Sequence, residues 1–232
     1  MDNTPQLEDF ERFRRERIGQ LIERTTSIHL HSGLHTVLHL IPLRAEDIDA
    51  REMESTLASL HDVGQLRPLF ATSAFALEYN SDGPIIRSTS GNFGLIGSYL
   101  QVFRDGTLES VNTFAERDRT LYQKQIPFLE TELRLYSRLP GYFVALQRLG
   151  VRPPVALGLT LIGTEGYWIE NPYSAVFGPG QRGRRIHNDT LLLPDVVAST
   201  FHCDLSNLLR PAMDAAWRAF GYDGSVSECA RR

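Results

Sequence analysis

The sequence predicts an α+β fold: a central, mostly antiparallel sheet built from hairpins, with a long kinked helix and terminal helices packed on it. Three observations carry this expectation. Strand-length runs with alternating apolar residues are joined by short turn signals, and a hairpin pairs its strands antiparallel. Apolar residues recur at intervals of three and four near both ends and in the middle, which marks helices. Helices and strands do not alternate one for one, as parallel βαβ units require. The chain has 232 residues, 42% of them hydrophobic, enough for one domain with a substantial core. It divides into a flexible N-terminus at 1–9, a single domain at 10–222 and a flexible tail at 223–232.

The first helix gathers Phe10, Phe13, Ile18, Leu21 and Ile22 on one side. Arg12, Arg14, Arg15, Glu16, Arg17 and Glu23 mostly occupy the other, and mixed-sign charge reads as a solvated face. A strand over 36–41 ends at Pro42. Ile48, Met53, Leu57 and Leu60 predict a second helix, capped by Asp47 or Asp49. A strand at 74–79 runs into the turn residues Asn80, Ser81, Asp82, Gly83 and Pro84. Strands at 98–103 and 107–114 flank Arg104, Asp105 and Gly106. Asp-Gly between alternating runs predicts a hairpin with a type I′ turn.

A long helical pattern covers 121–149 through Ile126, Leu129, Leu133, Tyr136, Phe143 and Leu146. Pro140 and Gly141 predict a kink or a division into two helices, because proline removes a backbone donor and crowds the preceding turn. A second hairpin is expected from the apolar run Val155–Ile162, a turn at 163–166 and a return strand at 167–169. Residues 171–185 form a loop. An apolar strand at 190–197 contains Pro194, which marks a sheet edge or a strand end. The last helix uses Leu205, Leu208, Leu209, Met213, Trp217 and Phe220, with Asp204 as N-cap, Pro211 opening its second part and Gly221 ending it.

The formal net charge of −4 gives no electrostatic footprint for DNA or RNA. Two cysteines, Cys203 and Cys229, make no disulfide framework and fit a reducing cytoplasm. Residues 1–10 lack the blocks of a secretory signal, and the apolar runs are too short for a bilayer. The expectation is a soluble, cytoplasmic protein with no membrane partner.

His29, His31, His35 and His39 crowd one stretch. On a strand, His29 and His31 share a face and could share a metal ion, but no nearby cysteine or carboxylate completes the ligand set. His187, Asp189 and His202 are the residue types that metal-dependent nuclease or phosphodiesterase chemistry gathers around a cation, at a spacing that matches no established motif. Walker loops, dinucleotide fingerprints and a GxSxG serine are absent. No catalytic set and no cofactor signature emerges. Arg182, Arg184 and Arg185 form the one basic cluster; arginine forks suit phosphate, and a solubilising surface loop is the plainer reading. Tyr167 and Trp168 beside a turn could stack on a base or a partner if exposed, and for Trp168 core packing is the plainer reading.

Several stretches together resemble a known family. They are Phe13-Arg14-Arg15-Glu16-Arg17-Ile18, Val37-Leu38-His39-Leu40-Ile41-Pro42-Leu43, Tyr99-Leu100-Gln101-Val102-Phe103-Arg104-Asp105-Gly106, Leu191-Leu192-Leu193-Pro194-Asp195-Val196-Val197, Leu209-Arg210-Pro211 and Trp217-Arg218-Ala219-Phe220-Gly221-Tyr222. This set resembles the C-terminal region of bacterial proteins that carry an N-terminal Schlafen-type, AlbA-like DNA-binding domain, often labelled ATP-binding. The resemblance covers about residues 10–222. The AlbA-like domain has no counterpart in this sequence, so its DNA- or nucleotide-binding label carries onto no residue. What the resemblance implies is a non-catalytic accessory module, sensing a ligand or recruiting a protein partner or a second copy, with nucleic acid contacted indirectly. The alternatives are a metal-dependent nuclease or phosphodiesterase, and direct nucleic-acid binding through the basic loop.

Overall fold

A computed structural model describes residues 4–44, 48–62, 64–70, 75–88, 97–115, 124–169 and 184–225. The strand β1 (Gly33–Pro42) lies in the middle of an eight-stranded sheet, between β5 (Leu108–Ala115) and β7 (Val155–Ile162), antiparallel to both. From β5 the sheet continues through β4 (Ser98–Val102) and β3 (Gly83–Ser88) to the edge strand β2 (Phe75–Asn80). On the other side, β7 pairs with β9 (Thr190–Leu192) and β10 (Val196–Ala198). Every pairing in this sheet is antiparallel, so the fold is α+β as the turn signals predict. A separate parallel pair joins β6 (Gln125–Ile126) to β8 (Trp168–Ile169).

Side-chain alternation divides the sheet into two faces. On one, Leu34, Leu38 and Leu40 of β1 stand with Leu157, Leu159 and Leu161 of β7 and Leu108 of β5. This face carries the main core, closed by α2 (Ala50–Asp62), α3 (Phe128–Arg148) and α4 (Leu205–Ala219). Phe128, Tyr142, Trp217 and Phe220 are fully buried there, each burial stabilising by roughly 2–3 kcal/mol. The opposite face presents Val37, Tyr99 and Val111, on which Ile18 and Leu21 of α1 (Thr4–Glu23) pack. The described residues thus form three layers, with α1 as the single helix on one side.

Several local expectations are corrected. The first helix begins at Thr4 rather than near Phe10. Pro5 lies in its first turn, where a missing N–H costs nothing. The β4–β5 hairpin forms, but not through a type I′ turn. Phe103 and Thr107 close a three-residue loop in which only Gly106 has positive φ, +82°. A type I turn followed by one left-handed residue needs a single glycine, and Asp105 Oδ1 accepts from Thr107 N at 2.9 Å to hold it. The run Val155–Ile162 does not turn back on itself. The amides of Gly163 and Thr164 donate to Asp189 O at 2.7 and 2.9 Å, which leads the chain away, so β8 pairs with β6.

The long helical pattern starts at Phe128, seven residues late, because Pro127 holds the N-cap position and Lys124 is left-handed. It then runs unbroken through Pro140: Leu139, Tyr142 and Phe143 are anchored in the core on both sides of the proline. Likewise α4 runs unbroken through Pro211. The strand expected at 190–197 is two short strands divided around Pro194, on the sheet edge. The chain beyond Asp223 stays attached for two more residues: Ser225 N donates to Asp214 Oδ1 at 2.8 Å and Ser225 Oγ to Glu132 Oε1 at 2.7 Å. Residues 1–3, 226–232, Asp47 and Cys229 lie outside the described residues.

Asp204 caps α4 as expected, its carboxylate accepting from Ser206 N and Asn207 N. Replacing Asp204 with alanine leaves those amides to water and is expected to cost about 0.5–2 kcal/mol in urea unfolding. An unchanged midpoint would show that the cap contributes nothing.

Candidate functional site

In α1, Phe10, Phe13, Arg14, Arg17, Ile18 and Leu21 follow one another at intervals of three, one, three, one and three. That rhythm places all six on one helical face, so two arginines enter the buried side with the apolar residues. Arg14 is 6% and Arg17 7% exposed. The solvated arginine face expected from the mixed charge is therefore corrected for these two; Arg12, Arg15 and Glu16 stay exposed or nearly so.

Arg17 meets a carboxylate with no exposed surface. Glu109 lies on β5 with Val111 and Thr113, on the α1 side of the sheet. Arg17 donates from Nη2 to Glu109 Oε1 at 2.8 Å and from Nε to Oε2 at 2.9 Å, a bidentate fork. The hydroxyl of Tyr99 donates to Oε1 at 2.6 Å, and His39 Nε2 lies 2.9 Å from Oε2. Since the carboxylate only accepts, that ring nitrogen carries the proton. His39 Nδ1 is buried without a hydrogen-bond partner. Phe13 stands edge-on to His39 and to Phe103, with centroids 5.9 and 5.4 Å apart, and the Arg17 guanidinium lies 5.1 Å from the Phe103 ring centre.

Burial alone would raise the Glu109 pKa; hydrogen bonds and charge from His39 and Arg17 overcome it and bring it down to about 2. Burial also opposes the charge of Arg17, and Glu109 reverses the effect, so the guanidinium is held more firmly protonated than usual. Burial, reinforced by Glu109, pushes the Tyr99 hydroxyl well above its ordinary range. A neutral phenol, an imidazole N–H and a guanidinium thus surround one anion.

Arg14 forms a second attachment one turn earlier. Its Nη2 donates to Leu159 O and Thr160 Oγ1, both at 2.9 Å, and its Nη1 pairs with Asp195. Gly158 makes the space: a Cβ there would stand 2.9 Å from Arg14 Nε. Burial lowers the Arg14 pKa, and Asp195 works against that.

A histidine bonded to a glutamate has the makings of a general base. Here both are at zero exposure beneath Phe13, and nothing in the described surroundings opens a path to them. What the cluster does chemically is hold a helix on a sheet. The residues singled out from the sequence lie elsewhere. His187, Asp189 and His202 are exposed, and among the described residues no three His, Cys, Asp or Glu side chains gather as metal ligands. Asp189 contributes its carbonyl to the turn after β7. Arg184 and Arg185 are exposed, Arg185 reaching Gly166 O at 3.1 Å, and Arg182 lies outside the described residues. Tyr167 is buried under Lys124 and Trp168 is half-buried, the reverse of the expected order. His29 and His31 do come together, with His35, around a cleft of about 160 Å³ at the end of α1. The Arg17 cluster was missed, although the three-and-four spacing of Arg14 and Arg17 carried its signal.

Arg17→Met strands the Glu109 charge and is expected to cost roughly 3–5 kcal/mol of unfolding free energy. The pH dependence has a definite sign. Glu109 sits at about 2 against an ordinary 4.5, so it contributes stability above the higher value and loses it as pH falls through the lower. Urea midpoints of the wild type should drop across that window, and Glu109→Gln should lack that component. Parallel pH curves for the two would contradict the assignment. Compared with known proteins, the chain matches no family model, no curated protein and no solved structure.

Proposed function

We propose that this chain is a non-catalytic accessory module of a nucleic-acid-associated bacterial protein, acting in the cytoplasm by sensing a ligand or recruiting a protein partner. One observation supports it above the rest. The most complete acid–base constellation among the described residues, Arg17, His39, Tyr99 and Glu109, is sealed between a helix and a sheet and is spent on attaching them. The family association rests on the sequence stretches that resemble the region following an AlbA-like domain. Surface features fit a module that binds. Grooves of about 540 and 440 Å³ run along the two flanks of α1, and Ile22 and Leu192 expose 49% and 59% of their surface.

Direct nucleic-acid contact is the second reading, favoured by the adjacent exposed side chains of Arg184 and Arg185. Two assays separate these readings and the hydrolytic one. With magnesium, manganese or zinc added, the module should hydrolyse bis(p-nitrophenyl) phosphate and single-stranded DNA only at background rate, and His187→Ala, Asp189→Asn and His202→Ala should change nothing. Turnover lost in those variants would overturn the proposal in favour of an enzyme. Titration with DNA should give no affinity tighter than the ~10⁻⁴ M of weak non-specific binding at physiological salt. Tighter binding whose salt slope falls by about 0.9 per arginine removed at 182, 184 and 185 would establish the direct contact instead.

A further inference from the structure

The chain leaves α1 through Arg24, which holds φ at +56°. Thr25 N donates to Gln20 O at 3.0 Å and closes the helix end. Glycine is the usual occupant of such a left-handed position, because a side chain there is strained. An arginine at this point is therefore held against a backbone preference, and backbone strain of this kind gathers at functional sites. It lines a cleft of about 160 Å³ whose eight lining residues include His29, His31 and His35.

Four of these eight residues, Arg24, His29, His31 and His35, carry or can take up positive charge, and none is a carboxylate. His35 Nδ1 is held by Thr113 Oγ1 at 2.9 Å, which leaves Nε2 as the ring atom free for a ligand. A cation is poorly served here. Among the described residues no set of three metal-ligating side chains exists, and an arginine in the wall repels positive charge. The volume corresponds to about five water molecules at roughly 30 Å³ each, room for one tetrahedral anion but not for a nucleoside.

We propose that this cleft binds a small oxyanion of the phosphate class, either free phosphate or the terminal group of a phosphate ester whose remainder stays outside. Arg24 supplies the fork and the permanent charge, and the three histidines supply further donors. The electrostatics agree. Burial, and then the charge of Arg24, hold His35 down to about 4, with only Asp189 opposing them. An anion between Arg24 and the imidazoles offsets the repulsion, so occupancy should raise the His35 pKa, and affinity should rise as pH falls. The inference does not rest on the accessory-module reading, since the cleft could be filled in an enzyme or a binding module alike.

The test is calorimetric titration of the full chain at constant ionic strength near the ordinary histidine pKa of about 6.5, with inorganic phosphate in one arm and glycerol 3-phosphate in the other. Saturable 1:1 binding with Kd below ~1 mM in either arm supports the site, and the tighter arm identifies the source of the anion. Arg24→Gly suits the left-handed backbone, so it should keep or raise Tm while weakening binding about tenfold or more. The His35 ring, followed by NMR titration, should show a higher pKa with saturating phosphate. No saturation by ~10 mM, equal binding by Arg24→Gly, or an unmoved His35 pKa would leave Arg24 as a cation at a helix end and overturn the proposal.

Discussion

A carboxylate that is completely withdrawn from water must be answered by charge and hydrogen bonds from inside the protein, and Glu109 is such a group. It stands near the middle of the sheet, on the face away from the main core. The strands supply two donors, from His39 on β1 and Tyr99 on β4. The permanent positive charge comes from the layer above, where Arg17 brings it on α1. Docking of that helix, closure of the second sheet face and ionisation of Glu109 are therefore one event. The pair sets where α1 sits more than it adds net stability, since two desolvated charges roughly offset their own attraction.

The two sheet faces consequently obey different rules. On the main-core face, leucines from β1, β5 and β7 meet three helices in a largely apolar contact. On the α1 face, Ile18, Leu21, Val37, Tyr99 and Val111 make a smaller apolar patch flanked by the Arg14 and Arg17 attachments. Among the described residues α1 is the one helix on this face, with grooves on either side of it and the histidine-lined cleft at its end. The surface available for binding is thus set by how α1 is pinned.

Much of the fold was legible because its signals are local. Asp105 and Gly106 marked the β4–β5 hairpin, Asp204 its helix start, and the three-and-four spacing of the apolar residues in α2, α3 and α4 their buried sides. Misreadings arose where a distant partner decided the outcome. Nothing near Tyr167 says that its strand will pair with Gln125 and Ile126 rather than with the run before it. Pro140 looks like a break until packing on both sides of it is known. The Arg17 cluster is the instructive case. Charged residues at buried helical positions were read by residue type, as solvent-facing, when their spacing placed them inward. The Arg17 partner, Glu109, lies 92 residues further on and has no local mark beyond being a glutamate in a strand. His187, Asp189 and His202 erred the other way, being suggestive in type and scattered in space.

The claim that the buried Glu109 charge holds α1 in place is tested most directly by residue-resolved amide hydrogen exchange on Glu109→Gln. The substitution keeps shape, removes the charge and leaves Arg17 buried without its counter-ion. Amides of α1 should exchange at least about a hundredfold faster than in the wild type, while those of β1 and β7 keep their protection. Unchanged protection in α1, or a uniform loss through both sheet and helices, would contradict the account.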